Sequence, residues 1–386
     1  SAVRRNEAIA AEAFFSTFDS VDVSAEDEQD PQQQASAEIM KSLLEYRLKK
    51  SIRWFHTVIG AYQDAMSVGT VISHQCWEYD PVRAIDRPCI ELVPIENFRF
   101  DPAAKWSDPV NTSPYLIELI PMYLKDVKAR MRPGPLGEPA KWFPMPSAQL
   151  QTHASSLDST RILREDNRAD SRGVASAVTE FTVVWVHRNI VEEDGEDYLF
   201  YTLGDRFLLS SPLPLRSTNE YAHGVRPYTL GCCVLETHKP YPSSPIKLTR
   251  DVQAEINEIA NQRIDNVKLA LNKRYFAKRN QQIDIRSLTR NTPGSITMMN
   301  NPETDVRVFD TPDVTSSSYQ EQDRLNLDFD EMSGTFSPGS VQSNRRLNET
   351  VGGMNKLTDS ANLLSNYQLK TFVETWVEPT LRQLVL

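Results

Sequence analysis

Residues 246–272 read IKLTRDVQAEINEIANQRIDNVKLALN, and this stretch decides the fold. Ser244-Pro245, just ahead of it, is a helix start, because a proline at the first helical position loses no N–H that the helix needs. Val252, Ile256, Ile259 and Val267 recur on one stripe, while Asn257, Asn261, Asp265 and Asn266 cover much of the remaining circumference. At about 1.5 Å per residue such a helix runs roughly 40 Å. That length suits a strut better than an element buried inside a small domain.

A second strut is predicted over residues 313–334. Its start lies in Ser316-Ser317-Ser318, with Glu321 three residues after Ser318 in a capping-box pattern, and its apolar positions are Leu325, Phe329, Met332 and Phe336. Between the struts, over 273–312, the runs YFAK, SITMM and VRVF have strand character, punctuated by Pro293-Gly294 and Asn301-Pro302. After the second strut comes GTFSPGSVQSNRRLNET, a loop rich in Gly, Ser and Asn that carries the pair Arg345-Arg346. A third long helical pattern then runs from Val351 to Trp376.

Upstream, residues 2–18 have a helical pattern, and DSVDVSAEDEQDPQQQ (19–34) is an acidic linker with almost nothing to bury. Glu38 to Met66 reads as one amphipathic helix, with Ile39, Leu43, Leu44, Ile52, Phe55, Ile59 and Tyr62 at helical spacing. Gly69 ends it, and TVISHQCWEYD follows as a strand. CIELVPIENFRFDPAAKWSD (89–108) reads as strand, turn at Pro94, short strand, then a loop opened by Asp101-Pro102, where Asp101 caps a turn. Tyr115 to Ile120 is strand-like and Met122 to Met131 a short helix. Prolines crowd residues 132–147, and the polar stretch to Ser176 makes 132–176 an exposed insertion. Thr179 to Ser211 is a β-meander with turns at Asp194-Gly195 and Gly204-Asp205, and Val225 to Leu235 adds a last strand.

Taken in order, strut, small β insertion, strut, flexible loop and long helix resemble the core of the portal proteins of tailed bacteriophages, those of short-tailed phages in particular. In that family these elements are stem, clip, stem, tunnel loop and wing helix. Asp251, Gln253, Glu255 and Asn257, followed by the run Asn261 to Asn266, are similar to the family's first stem helix. The VPIENFRFDPAA passage and the helix–glycine–strand order of 38–80 are similar to its wing. The resemblance covers roughly Glu38 to Leu386. It implies an α+β portal fold: an N-terminal helix and acidic segment (1–35), a wing (36–244), stem helices (245–272 and 313–334), a clip (273–312), a tunnel loop (335–349) and a long wing helix (350–386). The chain closes on LRQLVL in an apolar-periodic pattern, from which a crown or barrel segment beyond Leu386 is expected.

The resemblance further implies a homo-oligomeric ring, typically a dodecamer, at one vertex of the virion capsid, assembled in the host cytoplasm. Double-stranded DNA would be packaged through it by the terminase large subunit and later ejected. Tail adaptor, capsid and scaffold proteins would be the other partners, with no membrane. On that reading Ser340, Gln342, Ser343, Asn344, Arg345 and Arg346 form the tunnel loop facing DNA. Lys278, Arg279, Arg286 and Arg290 form the clip's docking patch for terminase or adaptor, and Asn257, Asn261 and Asp265 the channel face of the stem. A virion structural or adaptor protein without a channel is the alternative. A nucleic-acid enzyme whose site is assembled across subunits is a more distant one.

Composition bounds these readings. In 386 residues there are 42 Lys and Arg against 52 Asp and Glu, a net charge of −10, so any DNA contact has to be local rather than a basic wrapping surface. No apolar run approaches the ~20 residues of a spanning helix. Phosphate-loop, H-E-x-x-H, G-x-S-x-G and G-x-G-x-x-G motifs are absent, so no catalytic residue and no cofactor is expected. His56, His74, His153, His187, His223 and His238 are scattered without metal spacing, and no metal is expected. Cys76, Cys89 and the pair Cys232-Cys233 make no C-x-x-C unit. They read as buried inert thiols in a reducing compartment. Glu192, Glu193, Asp194, Glu196 and Asp197 read as a solvated charge run on a hairpin.

Overall fold

The computed structural model describes residues 2–15, 21–25, 27, 29–80, 84–134, 139–146, 150, 183–204, 206–271, 274–277, 286, 296, 298, 301, 306–309, 315–333 and 363–386. Their architecture is α+β. The chain divides into two compact units: Ser1–Lys247 with Leu363–Leu386, and Leu248–Asn362.

Three helices open the first unit: α1 (Ala2–Phe15), α2 (Pro31–Tyr46) and α3 (Trp54–Ser67). Pro31 begins α2, and Asp30 Oδ1 accepts from the Gln32 N–H at 2.9 Å, so helix starts inside the segment expected to be linker. The single helix expected over 38–66 is broken. A π turn at Arg47–Ser51 closes with Ile52 N–H donating to the Arg47 carbonyl at 2.9 Å, and Ile52 is extended. The break has a packing reason. Ile52 and Trp54 are two residues apart yet both buried, which a continuous helix would send to different faces. Ile39, Leu43 and Phe55 of the expected stripe are exposed instead.

Gly69 stands at φ +100° where α3 turns into strand, and a Cβ there would lie 2.4 Å from the Pro242 carbonyl oxygen. The hairpin β1 (Val71–Asp80) and β2 (Ile85–Val93) follows, then β3 (Phe98–Phe100). Asp101 caps a turn as expected, its Oδ1 accepting from Ala103 N–H at 2.9 Å. After α4 (Pro109–Thr112) come β4 (Tyr115–Tyr123) and α5 (Leu124–Arg130), so Met122, expected to start the helix, lies in the strand. β5 (Val183–Glu193), β6 (Glu196–Leu203), β7 (Phe207–Leu208) and β8 (Leu213–Pro214) complete a six-stranded sheet ordered β3-β4-β5-β6-β7, with β8 also on β6. Its expected hairpin turn holds: Asp194 (φ 51°) and Gly195 (φ 81°) both have the positive φ of a two-residue primed turn. β9 (Tyr228–Gly231) leaves this sheet and pairs antiparallel with β1, making a three-stranded sheet β2-β1-β9.

The expectation of a wholly exposed insertion over 132–176 fails at two residues. Trp142 and Leu150 are buried with Leu124, Val127, Val184, Val186, Leu203 and Leu209, and Phe143 N–H donates to the Leu209 carbonyl at 2.7 Å. Its residues 151–176 lie outside the described ones.

The C-terminal helix is described from residue 363, passes through a π turn at Val373–Val377 and ends as Glu378–Val385. Pro379 accounts for the π turn, since its missing N–H cannot serve the carbonyl four residues back. This helix closes the core shared by α1, α2 and α3. Trp376 is fully buried, its ring stacked at 6.0 Å on Trp54 and 5.3 Å on Phe372, and its indole N–H donates to Ser73 Oγ at 2.9 Å. The backbone of β9 runs so close beneath that a Cβ on Gly231 would sit 2.4 Å from Trp376 Cβ. Gly231→Ala is therefore expected to destabilise the protein by about 1–3 kcal/mol through overpacking, read as a lower midpoint in thermal denaturation.

The second unit contains α6 (Pro245–Leu271) from Leu248 onward, a helix that begins on the expected proline, and α7 (Thr315–Ser333). Ser318 lies inside the first turn of α7 rather than capping it. Consecutive hydroxyl residues suit any of the N-terminal positions, so the pattern locates this helix end only to within a turn. Between the helices, β10 (Arg274–Ala277) and β11 (Val306–Phe309) pair antiparallel, Tyr275 opposite Val308. Of the expected SITMM strand, Ile296 and Met298 are described; neither is in a strand, and both are about four-fifths exposed.

Candidate functional site

In the second unit the helix geometry sorts α6 into faces. At 3.6 residues per turn, Val252, Ile256 and Ile259 share a side with Arg263, while Asn257, Asn261 and Asp265 fall opposite. Ile256 is buried, and Arg263 donates to Gln322 Oε1 and lies over the Tyr319 ring at 4.3 Å, tying α6 to α7. Asn257, Asn261 and Asp265 are exposed. Asn257 Oδ1 accepts from Gln253 at 3.0 Å, and Asp265 from Lys268 at 3.2 Å, both along the same helix. The flanks between the two faces are apolar and open, with Leu248 and Leu269 on one and Ile264 on the other, and Val267, expected on the stripe, stands at its edge beside Ile264; these four are between 37% and 51% exposed.

Of the other sequence-predicted residues, Arg286 is helical and exposed. Lys278, Arg279 and Arg290, with Ser340, Gln342, Ser343, Asn344, Arg345 and Arg346, lie outside the described residues.

Two arginines that no motif announces, Arg226 buried and Arg188 mostly so, pair with carboxylates inside the first unit. β-Pairing sets Arg188 directly opposite Glu118, and Nη1 meets Glu118 Oε2 at 3.0 Å. Tyr228 Oη donates to the same carboxylate oxygen at 2.6 Å. His74 Nε2 lies 2.7 Å from Arg188 Nη1 and 2.9 Å from Tyr221 Oη. Burial, and then the Arg188 charge, hold His74 well below the usual histidine range, so it is neutral, and burial pushes the Tyr228 phenol well up. The second arginine, Arg226, grips Asp197 with two N–H donors at 2.7 and 2.9 Å and donates to the Val110 and Ser113 carbonyls at 2.7 and 2.6 Å. The acidic hairpin is therefore not all solvated charge, because Asp197 is the counter-ion of a buried guanidinium.

The thiols divide. Cys232 and Cys233 are buried as expected, but Cys76 and Cys89 are only half-buried. One group among the described residues could hold a metal: donor atoms of His74, Cys76 and Glu91 lie within 4.8 Å of one another. Absence of helical or C-x-x-C spacing hid this group, because strand pairing, not sequence proximity, assembles it.

Comparison with protein families places the chain. The family model for phage SU10 portal protein matches residues 82–385, more than half of the sequence. The chain belongs to the phage SU10 portal protein family. It is a tailed-phage portal protein, and the match runs from the β1–β2 hairpin through both struts and into the C-terminal helix. None of the curated proteins matches it. No described helix is long and apolar enough to cross a membrane.

Proposed function

We propose that this portal protein acts as a structural ring subunit at one capsid vertex, with α6 and α7 as stem, residues 273–312 as clip and the first unit as wing. Double-stranded DNA passes through the ring, driven inward by the terminase large subunit and later ejected, and tail adaptors dock at the clip. The observation that carries this reading is the sorting of α6. An exposed amide- and acid-bearing face lies opposite a stripe that is buried at Ile256 and half-buried at Val252 and Ile259, with open apolar residues on both flanks. A helix standing between two copies of itself and one wet channel needs this division, and cyclic symmetry covers both flanks at once. The family match supports the vertex location, and the net charge of −10 fits a bore that DNA must slide along, since each neutralised phosphate adds salt-dependent affinity and drag.

Native mass spectrometry and negative-stain images of the purified chain test the proposal: rings with an axial hole are expected. Ile264→Asp with Val267→Asp should shift the rings to smaller species while the secondary structure by circular dichroism is kept. A lone protomer from the wild-type chain at micromolar concentration would sink the reading in favour of an adaptor without a channel. Arg345 and Arg346, which the portal resemblance sets in a loop facing DNA, are tested separately. Replacing both by alanine should leave rings intact and lower DNA packaging, and unchanged packaging removes their role.

A further inference from the structure

β1 and β2 place four metal-ligating side chains in a two-by-two patch. The register sets His74 opposite Glu91 and Cys76 opposite Cys89, and residues two apart on a strand share a face, so all four project from the same side of the hairpin. Donor atoms of His74, Cys76 and Glu91 converge within 4.8 Å, and the register sets Cys89 directly across from Cys76, beside this cluster. Burial grades across the patch: His74 is at its base, the two cysteines are half-buried and Glu91 is exposed at the mouth. A cation thus has an entry from solvent and a pre-set ligand behind it.

We infer that His74, Cys76, Cys89 and Glu91 form a binding site for one borderline-soft divalent cation of the zinc class. One imidazole nitrogen, two sulfurs and a carboxylate oxygen are the donor set that such ions take with four-coordinate geometry, and they suit zinc far better than magnesium or calcium. Tyr221, 2.9 Å from His74 Nε2, orients the ring as an outer partner does in metal sites. Arg188 Nη1 lies 2.7 Å from His74 Nε2 and 3.1 Å from Nδ1, so the guanidinium has to draw back toward Glu118, its partner at 3.0 Å, when Nδ1 takes the ion. Two thiolates and a carboxylate carry three negative charges, so a divalent ion leaves the patch at about −1, and the adjacent guanidinium does not repel it. Binding releases the thiol protons to solvent and forms metal–sulfur bonds without any change of oxidation state. The ion would clamp β1 to β2 in the first unit, whatever passes through the ring.

The test is a cobalt titration of the reduced full chain followed by displacement with zinc. One cobalt per subunit and a thiolate-to-cobalt charge-transfer band are expected, and zinc should abolish the band and protect two thiols from a thiol-modifying reagent. Cys89→Ser and Glu91→Gln, both away from the buried base and checked for unchanged thermal midpoints, should each weaken binding by at least about tenfold. A wild-type spectrum without the thiolate band overturns the proposal, as does cobalt affinity unchanged in Cys89→Ser. Conversion of Cys76 and Cys89 to a disulfide that persists in the presence of zinc would also overturn it.

Discussion

Arg188→Met is expected to destabilise the first unit by about 3–5 kcal/mol, because it strands Glu118 as a buried carboxylate without its cation. Both side chains are nearly withdrawn from solvent, at 13% and 9% exposure, so water cannot take over the lost contact. Tyr228, whose hydroxyl stays on Glu118 at 2.6 Å, supplies one hydrogen bond but no charge. The double variant Glu118→Gln with Arg188→Met should recover most of the loss, since no unpaired charge is then left buried. Urea denaturation followed by tryptophan fluorescence reads both. A single variant within about 1 kcal/mol of wild type would show that this network is incidental to the fold.

Trp376→Ala should cost a comparable amount, about 3–5 kcal/mol, as the largest fully buried side chain of the described core. Its indole is stacked between Trp54 and Phe372, and its N–H donates to Ser73 Oγ, so truncation opens a cavity and leaves that buried hydroxyl to the Gln75 Nε2 donor at 2.9 Å. Trp376→Phe keeps an aromatic ring in the stack and gives up the hydrogen bond, and it should restore more than half of the loss. If the two variants proved equally damaging, the hydrogen bond rather than the stack would dominate. If neither shifted the denaturation midpoint, the C-terminal helix would not be part of this core.

Local rules made some elements legible. The proline at 245 and the stripe through Ile256 placed α6 to within a residue at each end, because a long exposed helix is governed by caps and periodicity. Asp194-Gly195 announced its hairpin because few residue pairs tolerate two positive φ angles. The break at Ile52 was hidden, since Leu44 and Tyr62 keep helical spacing across it and only the tertiary demand to bury both Ile52 and Trp54 overrides the pattern.

The paired residues were hidden for a different reason. Arg188 and Glu118 are 70 residues apart, and nothing in either neighbourhood signals that β-register will set them face to face. The same holds for Arg226 on Asp197. For the metal patch a trace did exist, in the spacings H-x-C and C-x-E on two strand-like runs joined by a short connection. Only the register says that these pairs meet. Of the channel reading, the face of Asn257, Asn261 and Asp265 follows from periodicity alone, whereas a loop such as 335–349 has no periodic pattern to read.

The first unit is discontinuous in sequence, with its closing helix made only after all of Leu248–Asn362 has been synthesised. Until then Trp54 and the bare backbone at Gly231 lack Trp376, which packs on both. Such non-local closure is slow, and its intermediate is a natural client for chaperones. A chain that stops before Leu363 lacks the helix whose Phe372 and Trp376 fill this core.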